Sequence, residues 1–176
     1  MIDRLNISLI GFMGSGKTSV SKRLAYLTDM PIFDTDSEIE KRIGISIEGI
    51  FLHYGADFFH KVESEVCLEI MNHSRTIIST GGAAVLNREN AEILRHNSTV
   101  FYLQASAEKI KQNIGNDVSR PRLKEDNSIK RIAEILNERQ EKYISSAHYI
   151  INIDDMGINQ VADSVLNFLT IYHRNP

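Results

Sequence analysis

The chain has 176 residues, 42% of them hydrophobic and 24% charged, with a formal net charge of -3. That length fits one domain with a sizeable core, and the acidic excess argues against a nucleic-acid binder, whose basic face would tip the balance positive. No apolar run approaches the roughly 18 residues that cross a bilayer, the opening MIDRLNISLI does not read as a secretory signal, and Cys67 is the single cysteine. A cytoplasmic protein without membrane partners is the expectation.

Residues 7–10 (ISLI) form a short apolar run that ends at Gly11 and predicts a buried strand. A helix is predicted over 17–27, where Val20, Leu24 and Leu27 share a face. Residues 31–34 (PIFD) predict a second strand, and 37–43 and 46–54 two short helices separated near Gly44. A longer helix follows over 56–71, with Phe59, Val62, Val66 and Ile70 as its apolar stripe. Residues 76–79 predict a third strand, stopping at Gly81 and Gly82. Then come a helix over 87–95, a strand over 99–103 (TVFYL) and a helix over 107–114.

Residues 115–127, GNDVSRPRLKEDN, are polar and aperiodic and predict a mobile loop. A charged amphipathic helix over 129–143, a fifth strand over 149–153 and a helix over 161–172 close the chain. Strands alternating with helices predict an α/β fold whose parallel sheet is covered on both faces. In such sheets, ligands sit at the carboxyl ends of the strands.

One motif stands at such an end. Residues 11–18, GFMGSGKT, match G-x-x-x-x-G-K-[ST], with a predicted strand before and a helix after. Glycines let backbone N–H groups wrap phosphate oxygens, and the helix adds its positive end. The expected nucleotide contacts are Gly14, Ser15, Gly16, Lys17, Thr18 and Ser19. Lys17 would reach the β- and γ-phosphates, and Thr18 would bind Mg²⁺ through its hydroxyl.

Asp34 and Asp36 close the second predicted strand. Residues two apart in an extended segment face the same way. One carboxylate could hold magnesium through water, and the other could accept a proton from an attacking hydroxyl. The competing reading is that Asp36 caps the helix starting at Ser37.

The sequence resembles the shikimate kinase family over nearly its whole length. The resemblance runs through GFMGSGKT, FDTDSEIEKRIGISIEGIF, the glycine pair at 81–82, RPRL in the polar loop and ER...Y in the next helix. It implies a three-layer P-loop fold with a five-stranded parallel sheet. It also implies a substrate-binding helical segment at about 35–64 and a lid at about 115–127. The implied reaction is phosphoryl transfer from ATP, with Mg²⁺, to the 3-hydroxyl of shikimate. Lys17, Asp36 and Arg120 are the implied catalytic residues, with Arg120 closing from the lid onto the ATP phosphates. Asp34 and Thr18 would serve the metal. Asp36, His60, Gly81, Gly82 and Arg139 would meet the acceptor, Arg139 clamping its carboxylate. The segment around Asp154 and Asp155 would lie near the adenine, and a monomer is expected.

The pattern breaks at three positions. The family's G-E-x-x-F-R-x-x-E segment reads GADFFHKVE here, so Ala56 replaces a glutamate and His60 a carboxylate-binding arginine. Ala83 replaces the third glycine of a G-G-G run. Arginine offers a permanent planar fork; histidine offers one suitable nitrogen and a titratable charge. Glu63, three residues on, shares a helical face with His60 and could orient its ring. Otherwise His60 is an exposed helix histidine without a ligand. Lys61 points about 100° away around the helix. A kinase for a related polyol or a nucleoside monophosphate, or a nucleotide-binding module that has lost catalysis, therefore stays open beside the shikimate reading.

Overall fold

The computed structural model describes residues 6–115, 126 and 128–174. Arg120 and most of the expected lid lie outside the described residues. The chain alternates as the patterning predicts: β1 (Ile7–Ile10), α1 (Lys17–Thr28), β2 (Ile32–Asp34), α2 (Thr35–Ile43), α3 (Ile47–Ile70) and β3 (Ile77–Ser79). A short 3₁₀ turn (Ala84–Leu86) follows, then α4 (Arg88–Asn97), β4 (Thr99–Gln104), α5 (Ala107–Ile114), α6 (Ile129–Ser146), β5 (Tyr149–Asn152) and α7 (Ile158–Arg174). The 3₁₀ turn is an addition to the predicted elements; three residues are too few to show a period.

The five strands form one sheet in the order β2-β3-β1-β4-β5, every pair parallel. Successive side chains leave a strand on opposite faces. Ile7 and Leu9 of β1 with Phe101 and Leu103 of β4 therefore join one core, beside Val20 and Leu24 of α1 and Val161 and Val165 of α7. Ile10, Val100 and Tyr102 join the other, beside Phe59, Val62 and Val66 of α3 and Leu94 of α4. Helix α6 feeds both cores, Ile132 and Ile135 entering the first and Tyr143 the second.

Gly55 splits α3. Its φ of 80° and ψ of 177° are non-helical, so the two helices read from the sequence on either side of it are two arms of one bent element. The second arm carries the buried stripe Phe59, Val62, Val66 and Ile70. The first exposes Phe51, Leu52 and Tyr54.

Candidate active site

The loop from β1 to α1 is shaped by its glycines. A Cβ on Gly11 would stand 2.8 Å from the Leu103 carbonyl oxygen and 2.9 Å from Ser15 Oγ. Gly14 and Gly16 have φ of 78° and 82°, a left-handed conformation that costs other residues about 1–2 kcal/mol. Lys17 is buried, and its Nζ donates to the carbonyls of Gly11 at 2.8 Å and Phe12 at 2.9 Å. The ammonium is thus folded inside the loop.

Helices α2 to α6 each begin on a side chain that accepts a backbone N–H: Asp34, Ser46, Asn87, Ser106 and Ser128. Helix α1 begins on Gly16, with no side-chain cap and no acidic residue in its first turn. Its first N–H groups and dipole end are offered to an anion, the physical requirement of a phosphate cradle.

The cradle opens on a cleft of about 480 Å³. Met13, Gly14, Gly16, Lys17, Thr18 and Ser19 line one side; Asp34, Asp36, Ser37, Glu40, Thr80 and Gly82 line the other. A second cavity of about 530 Å³ flanks the cradle, bounded by Ser15, Lys109, Asn113, Ile153, Met156 and Gly157. The loop after β5 borders it through Ile153, Met156 and Gly157. Asp154, however, supports the loop, its Oδ1 accepting from the Ser106 N–H at 2.8 Å.

The two aspartates meet in the cleft by a different geometry from the one the sequence suggested. Asp34 ends β2 and caps α2, its Oδ1 accepting from the Ser37 N–H at 3.1 Å. Asp36 stands in the first turn of α2. The helix begins two residues earlier than predicted because Asp34, not Asp36, is the cap. The extended i, i+2 geometry expected for the pair is therefore absent. Asp36 is left without a capping role.

Gly81 and Gly82 answer to the protein on both sides. The Gly81 N–H donates to Thr35 Oγ1 at 2.9 Å, and a Cβ there would collide with the Asp36 carboxylate. A Cβ on Gly82 would stand 3.0 Å from the Met13 nitrogen, in the cradle itself. Ala83 has φ of -118°, so its Cβ costs nothing and the missing third glycine leaves this loop unstrained.

Arg139 reaches the same loop from α6. It is 4% exposed, its Nη1 donates to the Gly82 carbonyl at 3.3 Å, and its guanidinium lies 5.5 Å from the Phe12 ring centre. Its Nε has no hydrogen-bond partner among the described residues. Tyr143 Oη donates to the same Gly82 carbonyl at 2.5 Å. Arg139 is thus held in place while keeping unused donor capacity, which suits an anion receptor.

His60 lies on the second arm of α3, its side chain 44% exposed and its Nδ1 3.5 Å from Glu63 Oε2. The Glu63 side chain is only 2% exposed. Asn90 Nδ2 donates to it at 3.0 Å and to the Ala84 carbonyl at 3.1 Å, and Ser64 Oγ donates to Asn90 Oδ1 at 2.7 Å. Burial pushes the Glu63 carboxyl up to about 7; Asp36 acts in the same direction, while His60 and Asn90 oppose it. Lys61 is exposed. Cys67 is buried, its thiol pushed up to about 12 chiefly by burial, which fits a packed side chain rather than a nucleophile.

The sequence reading missed Asn90, Thr35 and Glu40 as parts of the site. Glu40 Oε1 accepts from the Ile47 N–H at 2.9 Å and so ties α2 to α3. Glu40 lies in the FDTDSEIEKRIGISIEGIF run and could have been found there. A lone asparagine on a surface-patterned helix gave no signal for Asn90.

A parallel five-stranded sheet with an uncapped α1 behind a G-x-x-x-x-G-K-T loop defines a P-loop nucleotide-binding protein, with Asp36 across the cleft. A family model described as shikimate kinase matches residues 13–170. A shikimate kinase from Nitrosospira multiformis is 37% identical over 96% of this chain and 87% of its own. One from Caldicellulosiruptor bescii is 38% identical over 92% and 94%. The solved shikimate kinase from Acinetobacter baumannii, in complex with shikimate, superposes with a TM-score of 0.90 at 31% identity, covering 96% of this chain and 94% of that one. The chain belongs to the shikimate kinase family.

Proposed function

We propose that this protein transfers the terminal phosphoryl group of ATP to the 3-hydroxyl of shikimate. The observation that carries the reading is Arg139. A buried guanidinium with an unmade hydrogen bond is costly unless an anion completes it. It sits on the loop that borders both Asp36 and the cradle. A small carboxylated polyol fits that combination, and the Acinetobacter baumannii relative is solved with shikimate.

In this reading the backbone of residues 14–19 and the α1 dipole bind the ATP phosphates, with Ser15 and Ser19 flanking them and the adenine in the second cavity. Lys17 leaves the loop carbonyls to compensate phosphate charge. Thr18 and Asp34 hold magnesium. Thr18 through its hydroxyl and Asp34 through water would hold the ion, which suits magnesium's preference for few protein ligands. When bound, it neutralises charge on the phosphate oxygens. Asp36 accepts the proton of the attacking hydroxyl. Arg139 and His60 face the acceptor carboxylate, the backbone of Gly81 and Gly82 lies against its ring, and Arg120 closes from the lid. The chain works as one domain and a monomer in the cytoplasm, with residues 35–64 as the acceptor segment.

His60 favours a second reading, an acceptor with a less demanding anionic group. ADP release measured with and without shikimate separates the two. Stimulation at millimolar shikimate is expected; no stimulation with ATP binding intact would overturn the assignment.

A further inference from the structure

Beyond the reacting groups, the second arm of α3 holds a pair that phosphoryl transfer itself does not require: His60, its side chain 44% exposed, against the buried carboxyl of Glu63. We propose that His60 and Glu63 form a proton-operated receptor for the acceptor's carboxylate, which takes up a proton as the acceptor binds and weakens as the solution turns alkaline. This rests on the acceptor reading above and deepens it by naming what sets the affinity of that site.

The charge count follows from the contact. With His60 neutral and Glu63 ionised the pair is negative and repels a carboxylate. One proton makes the pair neutral, and a second makes it positive. An anionic acceptor therefore binds best to the more protonated pair, and binding must draw protons in. An arginine at position 60 would stay charged throughout and remove most of this coupling.

The surroundings push the same way. Helix α2 presents Asp36, whose charge opposes ionisation of Glu63. Helix α3 presents Cys67, which stays protonated near neutrality. Helix α4 presents only the neutral Asn90 to the Glu63 carboxyl. Helix α6 brings Arg139 and Tyr143, both turned onto the Gly82 carbonyl. Burial pushes the Glu63 carboxyl up to about 7. Asn90 links Glu63 to the Ala84 carbonyl at the end of the acceptor loop. With Nδ1 on Glu63, the imidazole has Nε2 to offer a ligand. Glu63 and Asn90 are thus positioning residues.

The test is calorimetric titration of shikimate into the full chain from pH 6 to 8.5, in buffers of unlike ionisation enthalpy. The expected result is uptake of about half to one proton near neutrality, with a dissociation constant rising about 3–10-fold per pH unit above it. His60→Arg should bind more tightly at pH 8 and lose the pH dependence, with nucleotide affinity unchanged. Glu63→Gln should keep the pH 6 affinity and exceed the parent at pH 8; a Glu63 that merely props the helix would lose affinity at every pH. If Glu63→Gln does not fold, proton uptake by the parent and the His60→Arg profile decide. A flat dissociation constant without proton uptake, shikimate still binding, overturns the receptor. Shikimate that binds at no pH, with nucleotide binding intact, overturns the acceptor reading and the receptor with it.

Discussion

The proposed donor and acceptor sides of the site are built from different materials. On the donor side the work falls to backbone: Gly14 and Gly16 in left-handed conformations, an uncapped α1, and Lys17 folded onto two carbonyls. On the acceptor side it falls to side chains: Glu63 held by Asn90, Asn90 by Ser64, Gly82 by Arg139 and Tyr143. A backbone cradle has few alternatives, because only glycine fits its dihedrals. A side-chain network can exchange one member and adjust its charges. The chain keeps the G-x-x-x-x-G-K-T motif whole, and its departures from the family pattern, Ala56, His60 and Ala83, fall outside it, on the proposed acceptor side.

If that division holds, substitutions should separate by kinetic parameter. The largest effect falls where the two sides meet. Asp36→Asn removes the base while keeping shape, and should lower kcat about 10²–10⁴-fold with nucleotide affinity nearly intact. Turnover surviving at the parent level would mean that the attacking hydroxyl gives its proton elsewhere. Next, Arg139→Lys exchanges a planar fork for a point charge. The Michaelis constant for shikimate should rise about 10–100-fold, the worth of a charged hydrogen bond, while that for ATP moves less than about twofold. Equal changes in both constants would erase the distinction between the two sides.

Legibility in the sequence followed the same line. The strands and α1 were readable because apolar runs and a glycine motif mark them; the order β2-β3-β1-β4-β5 was not, because right-handed crossovers are compatible with several orders. Gly81 and Gly82 were readable as a close approach, though not that Asp36 and the Met13 nitrogen are what approach them. Asp34 and Asp36 were found as a pair but placed on the wrong backbone, since capping by Asp34 competes with extension of β2. Ala83 became harmless only once its φ was known. The Glu63–Asn90 contact spans 27 positions, and no local period records it. Arg120 rests on the family motif, outside the described residues.

The last prediction tests the acceptor side without any ligand. Glu63 binds its proton more strongly in the folded chain, at about 7 against an ordinary value of 4.5, because burial outweighs His60 and Asn90. Between those two values the folded state holds more protons than the unfolded state. Stability must therefore fall as pH rises through that window, and the stabilisation present at acid pH is gone once the folded group ionises. The difference is on the order of 2–3 kcal/mol. Glu63→Gln keeps an acceptor for Asn90 and cannot ionise, so its urea midpoint should exceed that of the parent at pH 8 and converge with it near pH 5. Comparing the two chains cancels the titrating groups that do not interact with Glu63. Parallel pH profiles would show that the carboxylate is relaxed by solvent or by His60, and that the acceptor side is as indifferent to protons as the cradle.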